Sequence, residues 1–460
     1  MRKRYYASLH DALAMQDNEN RAKIRKKSEF HDRDWTFFSD HGYGKFEIDA
    51  NRLPSATPHL VGFKRTDNPV DVFFKIFNRD IIEELMNVIA DGDPSFWVKW
   101  SCVRKQSTVE DVLEYYAIRL MIQSRQEKYG KGNGRNPFRT FYHKKVHDMF
   151  PVNAQIMTAD DFGSLSNKVI IPCSYARGAL SEHLSSLIEG GQSLALDERM
   201  HPWRGKSPCV RKIPSKPNPV GHWTMQMCLR MSHPIPYCCG MFPFDQAKGS
   251  AEKIVLDDVA AWAVSLQKYK EARMPIIVTD SYYFTKATHR VFADERYPYI
   301  SAVKVDRMDN IITELKSRVD APGKFCAAHN TGTNEVVVHY YSRNKDVGRK
   351  TVYSNAFSVI HSQNQPSTRP PAWGEYKELS SGCDTFNRMV AAYKWPYTRK
   401  HWTQKFDDVF VTSMFINVFS ICKELKCISD TEEFHDFGSK LSISVIKELR
   451  KYEKLLRRFY

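Results

Sequence analysis

Between Trp223 and Met231 every second residue is large and apolar: Trp223, Met225, Met227, Leu229 and Met231, with Thr224, Gln226, Cys228 and Arg230 between them. Strict alternation specifies an extended strand, because successive side chains point to opposite faces of a sheet. Two strand-like runs flank it: Ser193 to Asp197 before, and Tyr237 to Phe242 after, set off by Pro234 and Pro236. The period then changes. Val255, Val259, Trp262 and Leu266 recur at helical spacing, and Pro275-Ile-Ile-Val-Thr279 is a buried-strand run ending at Asp280. A helix is expected near Lys286 to Asp294 and a strand from Tyr299 to Val305. Three strands, helix, strand, helix, strand describe a mixed sheet covered by helices.

That is the element order of an RNase H-like core, so the expected fold class is α/β with such a core at 193–305. A β-rich insertion follows at 306–371, carried by Val336 to Tyr341 and Thr351 to Ile360 and closed by the Pro-rich stretch Gln365 to Pro371. Residues 372–393 return to the core, with Gly382-Cys-Asp384 opening a helix. Helical patterning occupies 69–192 and 394–460. Asn78 caps a helix carrying Ile81, Ile82, Leu85, Val88 and Ile89, and Ser107-Thr-Val-Glu110 fits a capping box. Phe406 to Cys427 reads as a buried helix. The stripe Val445, Leu449, Tyr452, Leu456 and Phe459 reads as a capping helix for the helical module. Residues 1–68 are expected to be a basic, partly disordered arm.

Lys plus Arg number 68 against 53 Asp plus Glu, a formal charge of +15. The excess is clustered. From Arg125 to Lys145 there are seven basic residues and one acid; from Arg199 to Lys216, six and none; from Lys440 to Arg458, seven and two. Arg21 to Lys27 adds a fourth cluster, suited to nuclear import or a DNA-contacting arm. Clustered cations point to a polyanion, and each phosphate neutralised releases a counterion, so binding should weaken steeply with salt. No run approaches the roughly 20 apolar residues of a membrane span. The basic amino terminus has no apolar run behind it, so no secretory signal is expected. The ten cysteines are scattered with no Cys-x-x-Cys pair, which fits reduced thiols inside a cell.

Three aspartates stand where this fold could bring them together: Asp197 at the end of the first strand, Asp280 after the fourth, and Asp384 at the helix after the insertion. Carboxylates at strand ends repel one another, and hard divalent cations want carboxylate oxygens. Two such ions about 3.5–4 Å apart can activate a nucleophile and stabilise a leaving oxygen in phosphodiester chemistry. Taken alone, Asp280 before a helix reads as a cap, and Asp384 likewise.

The words around the aspartates are more specific. Asp197-Glu-Arg-Met-His-Pro-Trp-Arg-Gly205, followed by Ile213-Pro-Ser-Lys-Pro217 and Gly221, resembles the first catalytic block of piggyBac-family DDE transposases. Thr279-Asp-Ser-Tyr-Tyr283 is similar to the second block. Ser381-Gly-Cys-Asp-Thr-Phe-Asn-Arg-Met389, with Lys394-Trp-Pro396, is similar to the third. The resemblance implies a DNA transposase whose RNase H-like catalytic core carries the β-rich insertion, with the two helical segments forming a split dimerisation and DNA-binding domain. It implies Asp197, Asp280 and Asp384 as ligands of two Mg²⁺ or Mn²⁺ ions. It also implies cut-and-paste chemistry through 3′-OH attack, TTAA targets, double-stranded DNA (transposon ends and target) as partner, a homodimer and the nucleus as site of action. Arg204, Lys206, Lys216, Lys394, Arg399 and Lys400 are the expected DNA contacts, although Arg204 would also suit a turn-stabilising hydrogen bond. Glu198, facing away from Asp197 on a strand, is expected to be structural.

Two features depart from the family pattern. Asn387 stands where many members have a further Asp, and is a candidate neighbour of the metal site through its amide oxygen. Cys422 and Cys427 with His401 and His435 do not space as a zinc site, so no zinc is expected and DNA-end recognition falls to the basic helical segments. His143 and His147 read as a phosphate-facing or surface pair, and Cys238-Cys239 as strand packing. A domesticated relative that holds DNA without catalysis is the alternative reading. An RNA-directed nuclease on the same core would need a hybrid-binding groove that no motif here marks.

Overall fold

A computed structural model describes residues 35–39, 58–92, 107–124, 157–243 (apart from 208, 215 and 217), 275–284, 297–304, 309–330, 335–343, 348–355, 371–393, 395 and 401–456. The helices expected at Val255 to Leu266 and Lys286 to Asp294 lie outside these residues. So do the basic clusters Arg21 to Lys27 and Arg125 to Lys145, the histidine pair, and Lys394, Arg399 and Lys400.

The centre is one mixed sheet. β4 (Ser193–Pro202) pairs antiparallel with β6 (Val220–Leu229), which pairs antiparallel with β7 (Tyr237–Pro243). On its other side β4 runs parallel to β8 (Ile276–Thr279), and β8 parallel to β9 (Tyr299–Ala302). The order across this part is therefore β7-β6-β4-β8-β9. The short β5 (Val210–Lys212) also pairs with β6. Past β9 the sheet continues through β12 (Arg349–Ser354), β11 (Glu335–Tyr341) and β10 (Phe325–Asn330), all antiparallel. The β-rich segment thus extends the main sheet. β1 (Trp35–Ser39), from the amino-terminal arm, pairs with β10, and β2 (Pro58–Leu60) forms a separate two-stranded sheet with β3 (Ile188–Gly190).

Period-two patterning explains the two faces. Ile276 and Val278 of β8, Ile300 of β9 and Val352 of β12 pack on Tyr376 and Leu379 of a long helix, Pro371–Ala392 (α8 in chain order). The alternate residues Ile277, Tyr299 and Tyr353 join the main core on the opposite face. Helix α7 (Asp309–Ser317) brings Ile312 and Leu315 to that same core.

The helical module precedes and follows the sheet. It begins with α1 (Pro69–Ile76), α2 (Arg79–Gly92), α3 (Val109–Ser124) and α4 (Ala159–Lys168). Then α5 (Cys173–Tyr175) runs through a π-helical turn, Ala176–Leu180, into α6 (Ser181–Ser186). After α8 come α9 (Trp402–Glu424) and α10 (Phe434–Leu456). Asn78 caps α2, its Oδ1 accepting from Asp80 N at 2.7 Å, but the buried and exposed positions differ from the expected stripe: Met86 is buried and Val88 exposed. The capping box of α3 sits one residue later than expected. Asp111 N donates to Thr108 Oγ1 at 3.2 Å and Thr108 N to Asp111 Oδ2 at 2.9 Å. Ser107 is buried, so Thr108 is the residue placed to cap.

α9 is buried on nearly all sides. Its Asn417 extends the edge of the sheet: Cys238 N donates to Asn417 Oδ1 and Asn417 Nδ2 to Cys238 O, both at 2.8 Å. Cys238 and Cys239 are buried in β7 as strand packing. α10 lies on α3, where Gly438 meets Ser124 so closely that an added Cβ would stand 2.7 Å from the serine Cβ.

Gly221, part of the Asp197 motif, has a reason in the sheet. It pairs with Pro202, and a Cβ there would lie 2.2 Å from the carbonyl oxygen of His201, a backbone atom that cannot turn aside. Gly221→Ala is expected to cost more than about 3 kcal/mol, beyond ordinary overpacking. Gly163→Ala, in α4 with open space around it, should be neutral or stabilising by up to about 1 kcal/mol. Thermal unfolding of both variants checks this, and equal midpoints would refute the close-approach argument.

Candidate functional site

The carboxyl ends of the parallel strands carry the acids. The register of β4 with β8 ends at Leu196 and Thr279, so Asp197 and Asp280 are the next residues on neighbouring strands. β4 continues beside β6 to Pro202 while β8 has stopped, leaving an open edge where residues of both parities can turn toward Asp280. Strands in open α/β sheets present their functional side chains at this end.

Three carboxylates meet there. One oxygen each from Asp197, Glu198 and Asp280 lies within 4.8 Å of the others. Glu198, expected to be structural on strand parity, belongs to the cluster because its longer side chain borders the open edge. It is held on both sides, by Lys216 Nζ at 2.5 Å and by the Tyr283 hydroxyl, which donates at 2.9 Å. Asp280 Oδ1 accepts from Tyr282 N at 2.8 Å, and Ser301 Oγ reaches the Thr279 and Asp280 carbonyls at 3.2 Å, which pins the turn after β8.

The electrostatics divide the acids. Burial pushes Asp197 well above the usual carboxylate range, and the charges of Glu198 and Asp280 push the same way. Burial and Glu198 likewise raise Asp280. For Glu198 burial acts upward too, but the hydrogen bond and charge of Lys216, with the Tyr283 hydroxyl, outweigh it and hold its carboxyl below the ordinary value. Three clustered oxygen donors of this kind suit a hard divalent cation, which would relieve the repulsion.

Asp384 is elsewhere on the same side of the sheet. The helix carrying it opens at Pro371, well upstream, so Asp384 is a mid-helix residue and caps nothing. Gly382 and Cys383 are what bring α8 onto β4. A Cβ on Gly382 would be 3.6 Å from the Ala195 Cβ, and Cys383 Sγ donates to Ala195 O at 3.2 Å. The Asp384 side chain is exposed and its carboxylate is not one of the three within 4.8 Å. Asn387 spends its amide oxygen on Gln226, whose Nε2 donates at 2.6 Å; Gln226 is the cross-strand partner of Asp197.

A cleft of about 490 Å³ opens beside the acids, lined by Glu198 and Asp280 together with Arg211, Lys212, Lys216 and Lys304. Of these cations the sequence motifs mark only Lys216 as a DNA contact. Lys212 sits on the β5 edge strand and Lys304 just past β9, positions that sheet topology alone brings beside the acids. Arg204 and Lys206 are exposed in the β4–β5 connection. The Trp203 indole folds back over Gly205, where a Cβ would be 2.8 Å from the ring. Cys422 is buried in α9 and Cys427 Sγ donates to its carbonyl at 3.5 Å. Among the described residues no helix is long and apolar enough to cross a membrane.

A family model described as Transposase IS4 matches residues 177–419, more than half of the chain. No curated protein matches it. Among solved structures, the chain is similar to a cryo-EM structure of a piggyBac transposase synaptic complex with hairpin DNA. The TM-score is 0.67 at 15% identity, over 86% of this chain and 84% of that one. At such identity the likeness concerns the fold.

Proposed function

The chain belongs to the piggyBac/IS4-type transposase family, and from that premise we propose that it is a metal-dependent DNA transposase cutting and joining strands at the Asp197–Asp280 centre. The observation that carries this reading is the convergence of Asp197, Glu198 and Asp280 at the ends of adjoining parallel strands, beside a basic cleft. The strand order β7-β6-β4-β8-β9, antiparallel on one side of β4 and parallel on the other, supports an RNase H-like core.

Asp197 and Asp280 would hold two divalent ions, Mg²⁺ or Mn²⁺, with Glu198 beside them. Asp384 is assigned to the same centre on motif position. Bound metal supplies an activated water or hydroxyl nucleophile and charge stabilisation of the leaving oxygen. The chain's own residues position the reactants. Lys216 and Tyr283 orient Glu198, the Asp280 turn is locked by Ser301, and Lys212 and Lys304 bind phosphates flanking the scissile one. The chemistry proposed is hydrolytic nicking, attack by the freed 3′-OH to form hairpin ends, and joining at TTAA targets. Its partners are transposon ends and target DNA, its working form a homodimer, and its location the nucleus.

An excision assay in cells tests this. A reporter interrupted by the gene's own flanking ends is offered to wild type, Asp280→Ala and Asp384→Ala. Precise excision by wild type and by neither variant is expected. No excision from any of them, with salt-sensitive binding to those ends retained, would replace the enzyme by a DNA-holding relative. Excision surviving Asp384→Ala would remove that residue from the centre.

A further inference from the structure

Helix α9 ends in a Schellman cap. Cys427 N donates to Cys422 O at 3.2 Å and Lys426 N to Lys423 O at 3.1 Å, the nested pair of backbone bonds that defines this turn. Lys426 takes its left-handed position with a φ of 57°, the one non-glycine residue with positive φ among the described residues. Such a cap brings the side chains at the two ends of its outer bond together, usually as an apolar contact. Here both are cysteines, and their thiols hydrogen-bond to each other. Cys422 is fully buried, whereas Cys427 is, with Cys173, one of two described cysteines that are not buried. The turn is also held from behind, where Lys423 Nζ donates to the carbonyls of Ser429, Asp430 and Glu432 at 2.6–2.8 Å.

Thiol exchange needs one sulfur that a reagent can reach and a second that displaces the product. The pair divides these roles. Cys427 is open on one side, and the neighbouring Cys422 thiol holds it below the ordinary thiol value, against burial and the charges of Asp67 and Asp71. Cys422 lies behind it, pushed up by burial. Cys228, which contacts the Cys238 and Cys383 thiols, is fully buried with both of them and offers a reagent no entry. We propose that Cys422 and Cys427 form a redox modification site, which low-molecular-weight disulfides close to a disulfide bond. The Cys427 thiolate attacks one sulfur of the small disulfide, whose S–S bond breaks; one small thiol leaves and takes up the proton that Cys427 lost. Cys422 then gives up its proton and attacks Cys427 Sγ, and the second small thiol leaves with that proton. Two protein thiols are oxidised and one small disulfide is reduced to two thiols. The backbone already has the closing conformation, so the bond clamps the turn from α9 toward α10 without opening either helix.

The test uses the full reduced chain, incubated folded with reduced and oxidised glutathione at several ratios, quenched with an alkylating agent in denaturant, digested and read by mass spectrometry. A Cys422–Cys427 disulfide is the expected product, with Cys228, Cys238 and Cys383 recovered alkylated. Cys422→Ala should stop the reaction at a mixed disulfide of Cys427 with glutathione. That adduct should be at least about tenfold more abundant than in wild type, because displacement within one turn outruns a bimolecular step. Cys427→Ser should leave Cys422 free, and Lys426→Gly, which suits the left-handed position, should keep the disulfide. The proposal is overturned if both thiols stay free in excess oxidised glutathione, if wild type stops at the mixed disulfide, or if the bond forms only in the unfolded chain. A disulfide from Cys228 to Cys238 or Cys383 in its place would overturn it equally.

Discussion

Asp197→Asn is expected to abolish metal-dependent strand cleavage and at the same time to make the protein harder to melt in chelator. The two effects share one cause. Asp197 is partly buried next to two other carboxylates, and burial followed by the charges of Glu198 and Asp280 raises its pKa from the ordinary 3.8. A carboxyl whose folded pKa exceeds its unfolded one binds more protons folded than unfolded, so stability falls as pH rises through the window above 3.8. Asp280 contributes in the same direction and Glu198 in the opposite one. At neutral pH the wild type therefore carries a repulsion that the amide removes, and a rise of about 1–3 °C in Tm follows. Added Mg²⁺ or Mn²⁺ should reverse the order, since a ligand that binds only the folded state stabilises it by mass action. Cleavage should drop at least about 10³-fold, the scale of losing one preorganised electrostatic group. Thermal melts from pH 5 to 8, with chelator and with metal, read the stability half directly. A variant that melts below wild type in chelator would show that Asp197 serves the fold instead of the cation.

The second large effect lies far from this centre. Arg119 of α3 is fully buried and bonds Asp407 at 2.6 Å and Asp408 at 2.7 Å, both on α9. The Tyr115 hydroxyl at 3.2 Å and the Trp395 ring, whose centroid is 5.2 Å away, complete its surroundings. Asp407 also accepts the Ile171 N–H at 3.0 Å, and Gln123, one turn on from Arg119, bonds Thr412 at 2.8 Å. This polar seam ties the two sequence-distant parts of the helical module together. Arg119→Leu leaves two carboxylates in the core without a cation, and removing one partner of a buried pair typically costs about 3–5 kcal/mol. Loss of soluble protein or a large fall in Tm is expected. Arg119→Leu combined with Asp407→Asn and Asp408→Asn should recover part of that loss, because the amides carry no charge to strand. If the triple variant is no better than the single, the cost lies in lost packing and not in the uncompensated charges.

Much of the sheet was legible from local pattern. The alternation through Trp223 to Leu229 and the apolar run Ile276 to Val278 are burial signals that need no partner to be recognised, since a two-faced or two-sided environment stamps its period on the residues. The strand pattern of β4 is legible only to Asp197, yet the strand runs to Pro202. Its second half is polar because it borders the open edge, and a polar strand has no period to read. The capping box of α3 lies one residue beyond the position the local motif suggests, for a similar reason: Ser107 and Thr108 carry the same chemistry, and burial of Ser107 separates them.

The candidate site divides the same way. The residue words around Asp197, Asp280 and Asp384 placed the chain in its family, and the element order set Asp197 and Asp280 at the ends of strands that could adjoin. What the sequence by itself determined is thus most element types, the clustered positive charge and the acidic residues that end the strands. The tertiary structure alone decided which carboxylates meet. Strand parity sends Glu198 away from Asp197, and only the end of β8 beside a continuing β4 lets the two converge. It alone set Asp384 in mid-helix outside that group, and drew Lys212 and Lys304 to the cleft from separate strands. Each of these depends on pairing between segments tens of residues apart, where register and packing, rather than local preference, carry the free energy.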